Sequence, residues 1–366
     1  MDRLPLETLH QIFELACTDG GYTGCALALT SKFIHDTAQS TRFHSVVLEA
    51  EPRRLGAFIA VYQNQYSNAA DIRPRTCHLH LLLPSTTKAR PPSEPTEEDE
   101  SGEESEDEEK DESGEESEDE EKDESTSHSQ SSLLAAQLLS VQQLLSLISN
   151  DLQSLVINKH NLEALYPLFN RPFPALQELT LLLHGNLSHL IAPDPNSNPL
   201  FPALTHLHIV APDWSPPLLP TWILHAPRVT HLRISAHDLF GKFVNELPDA
   251  LGTPQCPVRG LGPVVGPPPA VRTYPTLARV VVQPGPRPPA GPCGTSRHVF
   301  NWRTMQLEWI AERAKTAGVG MRVLPACSWE NKEWDEAIRT EWLKRIGGGP
   351  GRDWFCGADE EDEDAK

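Results

Sequence analysis

The chain lacks paired cysteines of any metal-binding or redox kind. Its seven cysteines, Cys17, Cys25, Cys77, Cys256, Cys293, Cys327 and Cys356, are odd in number, scattered and never arranged as Cys-x-x-Cys. That usage fits buried or free thiols in a reducing compartment, cytosol or nucleus, and speaks against a disulfide framework or a structural zinc site. No basic leader followed by an apolar run opens the sequence, and no window approaches a membrane-spanning length of apolar residues. Secretion and a membrane partner are therefore not expected. Compact Lys/Arg clusters are absent too, so nothing chooses nucleus over cytosol and no nucleic-acid partner is expected. Phosphate loops, nucleophile elbows and His-Glu-x-x-His segments are also missing. The segment GLGPVVG from Gly260 lacks a following helix and a third glycine in place, and GGGPG from Gly347 is better read as a helix stop. The expectation is a protein that is not an enzyme and carries no cofactor.

What is present is charge, unevenly placed. The formal net charge is −20. Residues 94–124 hold 21 Asp and Glu against Lys110 and Lys122, and Asp359 to Lys366 adds six acids and one lysine. With both segments set aside the remaining chain has a net charge of about +4, so the body is near-neutral and the acidity belongs to two appendages. Within the longer one the unit DESGEESEDEEK occurs twice in tandem from Asp99. It offers no large apolar side chain to offset ordering entropy, so residues 85–131 are expected to be a disordered insertion. Ser101, Ser105, Ser113 and Ser117 are each followed three residues on by Glu, a register that suits an acidophilic kinase of the casein-kinase type. The same run also reads as a polyanionic mimic that attracts basic partners such as histones.

A longer regularity lies on either side. LQSLVI from Leu152, LQELTL from Leu176, LTHLHI from Leu204, VTHLRI from Val229 and LARVVV from Leu277 share apolar residues at their first, fourth and sixth places. Their spacings are 24, 28, 25 and 48, the last reading as two units. FPAL at Phe173 and Phe201, YPTL at Tyr274 and the looser APRV at Ala226 introduce four of them, and CHLHLLL from Cys77 fits the same frame. A unit of this length with apolar-x-x-apolar-x-apolar on a short strand is the pattern of leucine-rich-repeat architecture, in which stacking buries what one unit alone cannot. The asparagine that usually follows the strand is missing, so the repeats are degenerate. LLSVQQLLSLI from Leu138 predicts a helix between the acidic run and the strand at Leu152, which makes the run a strand-to-helix insertion inside one repeat.

At the C-terminus WRTMQLEWIAERAKTAG from Trp302 predicts a helix ended by Gly318, MRVL a last strand, and SWENKEWDEAIRTEWLKRI a final helix with Ser328 as N-cap and Gly347 as its stop. Six of the eight tryptophans fall between Trp302 and Trp354, where they are expected to close the exposed end of the stack. The expected fold class is α/β. It comprises a short helical module (1–45), first strand and helix repeats (46–84), the acidic insertion (85–131), an irregular right-handed solenoid of parallel strands and helices (132–325) with Pro/Gly-rich loops at 252–272 and 284–295, a C-terminal helix (326–349) and an acidic tail (350–366).

The N-terminal segment LPLETLHQIFELA places Leu6, Leu9, Ile12 and Phe13 at helical spacing behind Pro5, a residue tolerated where its missing N–H has no intrahelical partner. CALALTSKFIHDTA predicts a second helix and RFHSVVLE a strand. Together they resemble the F-box of fungal F-box proteins, in Leu4, Pro5, Leu6, Leu9, Ile12 and Phe13 of the first helix and Leu29, Ser31 and Phe33 of the second, with Phe43 where many F-boxes have tryptophan. The resemblance implies a substrate receptor of a Skp/cullin/F-box ubiquitin ligase. Leu4, Pro5, Leu6, Leu9, Ile12, Phe13, Leu29 and Phe33 would dock on a Skp-type adaptor, and through it on a cullin, while the repeats hold a client. The same residues alternatively serve only as a cap over the first repeat. A reading from a different class makes the chain a charge-driven scaffold or chaperone for basic proteins.

On the repeat strands the third and fifth places point away from the apolar side. They hold His78 and His80, Glu178 and Thr180, His206 and His208, His231 and Arg233. His-x-His sets two imidazoles on one side of a strand, but a third ligand and a second shell are not in view, so no metal is expected. A polar, solvated concave sheet is the default. Glu178, His206, His208, His231 and Arg233 are the client-binding candidates, with a charge that would change near neutral pH.

Overall fold

The computed structural model describes residues 4–68, 74–83, 124–159, 169, 171–183, 198–210, 219–237, 243–255, 271–289, 295–327 and 331–348. Three helices open the chain, α1 (Leu6–Ala16), α2 (Tyr22–Thr30) and α3 (Lys32–Ala38). Then come β1 (Ser45–Glu49), α4 (Pro52–Asn68), β2 (His78–Leu82), α5 (Glu124–Ile148), β3 (Ser154–Lys159), β4 (Glu178–Leu183) and β5 (His206–Val210). The chain continues through α6 (Leu219–His225), β6 (His231–His237), α7 (Phe243–Leu251), β7 (Arg279–Pro284), α8 (Thr295–Thr316), β8 (Gly320–Val323) and α9 (Asn331–Ile346). The fold is α/β: among the described residues the strands form one parallel sheet of eight whose spatial order is the chain order.

The apolar fourth and sixth places of each sequence unit become two ladders across this sheet. Val46, Leu79, Leu155, Leu179, Leu207, Leu232, Val280 and Met321 are paired in register, and so are Leu48, Leu81, Ile157, Leu181, Ile209, Ile234, Val282 and Val323. Both rows face α4 to α8 and form with them one continuous core, in which Tyr62, Leu144, Trp222, Phe243 and Leu307 are buried. Burial of such side chains is the main term holding a stack of this kind together, about 1.5–3 kcal/mol for each.

Two backbone devices repeat from unit to unit. From β2 to β5 the carbonyl before the strand accepts two N–H groups from the next unit: Cys77 from Gln153 and Ser154, Gln153 from Gln177 and Glu178, Gln177 from Thr205 and His206, Thr205 from Thr230 and His231. The FPAL, APRV and YPTL phrases all make one turn, in which the carbonyl of Phe173, Phe201, Ala226 or Tyr274 accepts the N–H of the fourth residue. Proline in second place pre-sets φ for that turn. Its aromatic leaders then stack through the core, Phe173 on Phe201 at 5.8 Å and Phe201 on Trp222 at 6.0 Å.

Several expectations are corrected. The single second helix is two, because Ser31 is extended (φ −156°, ψ 161°) and its Oγ accepts the Ile34 N–H as the N-cap of α3. The spacing of 48 places no further strand between β6 and β7 in the sheet, since the two pair directly and the extra length carries α7. Helix α5 starts at Glu124, inside the segment expected to lack structure, and α8 starts at Thr295, ahead of Trp302. Both helices extend upstream of the apolar periodicity from which they were read. Helix α9 does stop at Gly347, and the residue after it, Gly348 (φ 63°), takes the left-handed conformation and donates back to Arg345. The acidic run does fall between β2 and α5. Residues 84–123 with Ser101, Ser105, Ser113 and Ser117, loop residues 256–270, Ser328 and the acidic tail lie outside the described residues.

Candidate functional site

Leu9 and Phe13, four apart on α1, turn inward and meet Ile34 and Ala38 of α3, which gives the N-terminal module a small core of its own. A loop joins that core to the sheet. Asp19 accepts the N–H and hydroxyl of Thr23 at 2.9 and 2.6 Å and so fixes the start of α2. Gly20 (φ 80°) takes the N–H of Val47 at 3.1 Å, while Ser45 Oγ donates to the Cys17 carbonyl at 2.7 Å. A side chain on Gly20 would run into Val47, and one on Gly24 into the Arg42 backbone. Edge strand β1 is thereby partly covered by the module.

With its core closed, the module still leaves Leu4, Pro5, Leu6, Ile12, Leu15, Tyr22, Leu29 and Phe33 exposed, Leu29 at 87 %. Seven of the twelve large exposed apolar side chains among the described residues belong to this module, so exposed apolar surface is concentrated there. The eight docking candidates therefore divide. Leu4, Pro5, Leu6, Ile12, Leu29 and Phe33 face solvent, whereas Leu9 (1 % exposed) and Phe13 (4 %) are core residues and are not available for docking.

The second candidate surface is the sheet face opposite α4 to α8, and here expectation and structure part company. Glu178, His206 and His231 sit in one cross-strand row and Thr180, His208 and Arg233 in the next, as the alternation required. The face is not solvated, because α9 lies across it. Trp334, Ile338 and Trp342 of α9 pack on Val156, Leu182 and Val210. Trp342 Nε1 donates to Ser154 Oγ at 2.9 Å, and its ring meets His80 edge-on at 5.5 Å. Arg345 bonds Glu178 at 3.2 Å and Glu341 at 3.1 Å, and Glu341 also takes Arg233 at 3.2 Å. Asn158 donates to Asp335. His206 and His231 stack at 4.3 Å, each with its Nδ1 at the hydroxyl of the preceding threonine.

Enclosure decides the electrostatics of this face. Burial pushes His78 and His80 down to about 4, helped by the neighbouring charges of His44 and Arg339 respectively. It holds His206 below its ordinary value, and His208 well below, with Arg345 adding to both and Arg233 to His208. His78, His80 and His208 are therefore neutral at pH 7, and His206 is shifted the same way, so His208 does not supply the expected sensitivity near neutral pH. His208 Nε2 pairs with Ser235 Oγ at 3.0 Å.

Sequence reasoning found the final helix but missed its place on this face, putting its tryptophans at the end of the stack. A readable signal existed: Trp334, Ile338 and Trp342 recur every four residues along one helical stripe. A cavity of about 430 Å³ opens between the Gly20–Tyr22 loop, β1, α4 and Arg339, rimmed by Arg42 and Arg54 over Phe43 and Phe58. Among the described residues no cluster of three or more His, Cys, Asp or Glu could hold a metal ion, and no helix is long and apolar enough to cross a membrane. No protein-family model, curated protein or solved structure matches the chain.

Proposed function

We propose that this chain is a non-enzymatic substrate-recognition adaptor of a Skp/cullin/F-box ubiquitin ligase, working in the cytosol or nucleus. Its helical module acts as the F-box and its sheet as a degenerate leucine-rich-repeat-like solenoid that carries the client. The observation that carries this reading is the division of labour in the module. Leu9 and Phe13 complete a core with Ile34 and Ala38, while Leu4, Leu6, Ile12, Leu29 and Phe33 are left outside it. A fold that is already closed gains nothing from apolar side chains in water. Each contributes roughly 1.5–3 kcal/mol when a partner covers it, against the entropic cost of association.

Co-purification with a Skp-type adaptor tests the proposal. Leu6→Asp with Ile12→Asp is expected to abolish capture while the module stays folded, and undiminished capture overturns the assignment. Removal of residues 94–124 leaves capture intact on this reading. Loss of every partner on that deletion would favour a charge-driven scaffold instead.

A further inference from the structure

The sheet is covered on both faces, but by unlike surfaces. Toward α4 to α8 both ladders are apolar from β1 to β8. Toward α9, a small apolar centre of Val156, Leu182 and Val210 is ringed by Ser154, Asn158, Glu178, Thr180 and Arg233. The ring meets α9 through the hydrogen bond from Trp342, the Asn158–Asp335 contact and the Glu178–Arg345–Glu341–Arg233 chain of ion pairs. Aromatic anchors set among hydrogen-bonding and charged groups are the anatomy of a surface on which a helix docks.

The match is also incomplete. Nδ1 of His80 and Oδ1 of Asn158 are buried there with no hydrogen-bond partner. Buried polar atoms are nearly always satisfied, so a helix whose side chains reached these two would make hydrogen bonds that α9 does not. Position in the chain points the same way. Helix α9 follows the complete β1-to-β8 ladder, and none of the strand pairings passes through it.

We infer that this sheet face is a helix-binding groove, that α9 is its resident occupant, and that a client enters by supplying an amphipathic helix in α9's place. The occupant defines the ligand. It carries aromatic, aliphatic and aromatic residues at the spacing of Trp334, Ile338 and Trp342. An acid stands beside the first, as Asp335 does, and an arginine three beyond the last, as Arg345 does. A hydroxyl or amide side chain over His80 would improve on α9. That the incoming helix belongs to a ubiquitination client rests on the function proposed above; the groove does not.

A fluorescent peptide of residues 331–348 added to the full-length chain tests the groove. In the wild type the apparent affinity is lowered by the fraction of time α9 leaves the face open. With Trp334→Ala and Trp342→Ala in the chain, anisotropy is expected to show binding at least about tenfold tighter than to the wild type. Equal affinity overturns the inference. So does loss of the sheet's cooperative unfolding in that variant, because a helix whose loosening unfolds the sheet is core. A second chain, Glu178→Arg, is expected to prefer a peptide carrying Arg345→Glu over the native peptide, and absence of preference puts the peptide elsewhere and overturns the groove. Leu6→Asp with Ile12→Asp, made in the Trp334→Ala, Trp342→Ala chain, whose face is open, separates the two proposals. Peptide binding kept with adaptor capture undiminished sinks the proposed function alone, and peptide binding absent with capture lost sinks the groove alone.

Discussion

Trp342 of the last helix donates its indole N–H to Ser154 of the third strand at 2.9 Å, across 188 residues of chain. Both residues are buried. Trp342→Phe keeps most of the ring but strands the serine hydroxyl, and is expected to weaken α9 docking by about 1–2 kcal/mol. Trp342→Ala removes the whole side chain, for about 3–5 kcal/mol. Hydrogen exchange is the measurement, with α9 amides losing protection while β3 to β6 keep theirs.

Glu341 stands between Arg233 and Arg345. Its carboxylate is about one-third exposed, so solvent screens the pairs and Glu341→Gln is expected to cost only about 1 kcal/mol. High salt should shrink the difference between wild type and variant in urea titrations. A salt-independent difference would mean that packing, not charge, holds this corner.

Acid should loosen the covered face. Folded His78 and His80 protonate only near pH 4, whereas an unfolded chain takes up those protons near 6.5. Their contribution is complete above about pH 6.5 and is lost as pH falls toward 4, by about 3 kcal/mol for each histidine. His208 acts in the same direction. Arg339, Arg233 and Arg345 face these imidazoles and oppose their protonation, while Glu178, Glu341 and Asp335 line the same interface. Urea midpoints should be level above pH 7 and decline below 6.5; midpoints unchanged down to pH 5 would contradict the burial of this row.

Within the N-terminal module the two classes of apolar residue should separate cleanly. Leu9→Ala, in its core, is expected to cost about 2–5 kcal/mol. Ile12→Ala and Leu29→Ala, on its surface, should stay within about 0.5 kcal/mol. Thermal melts of the three variants side by side measure this.

Tyr274 donates its hydroxyl to the Ala226 carbonyl at 2.6 Å from a fully enclosed position, bridging two repeat turns. Tyr274→Phe should cost about 1 kcal/mol. The loss should appear in the urea midpoint with the slope unchanged, since the compactness of the array is not altered.

The strand ladders were legible because a period of two is short and each unit repeats it: Leu179 and Leu181, or Leu207 and Ile209, announce one face without help from elsewhere. Turn chemistry was equally local, and FPAL and YPTL make the turn their prolines imply. What covers the other face was not legible. His80 and His208 read as solvated polar residues, and only the arrival of a helix from the far end of the chain buries them. Nothing in the spacing of Glu178 and Arg345, 167 residues apart, records that they meet. Helix α1 was half legible for a related reason. Its amphipathic pattern marks which residues are apolar, while Ile34 and Ala38 on α3 decide which of them, Leu9 and Phe13, turn inward.

The unbroken register between β2 and β3 has a consequence for the chain as a covalent object. His78 to Leu82 pair with Ser154 to Asn158 as closely as any other neighbours, Leu83 donates to the Asn158 carbonyl, and Gln137 reaches the Ala50 carbonyl. A protease cut anywhere between Leu83 and Glu124 would therefore divide the polypeptide without dividing the molecule. The two fragments should travel together on a sizing column and part only in denaturant, because the sheet and the helices hold bonds that join them.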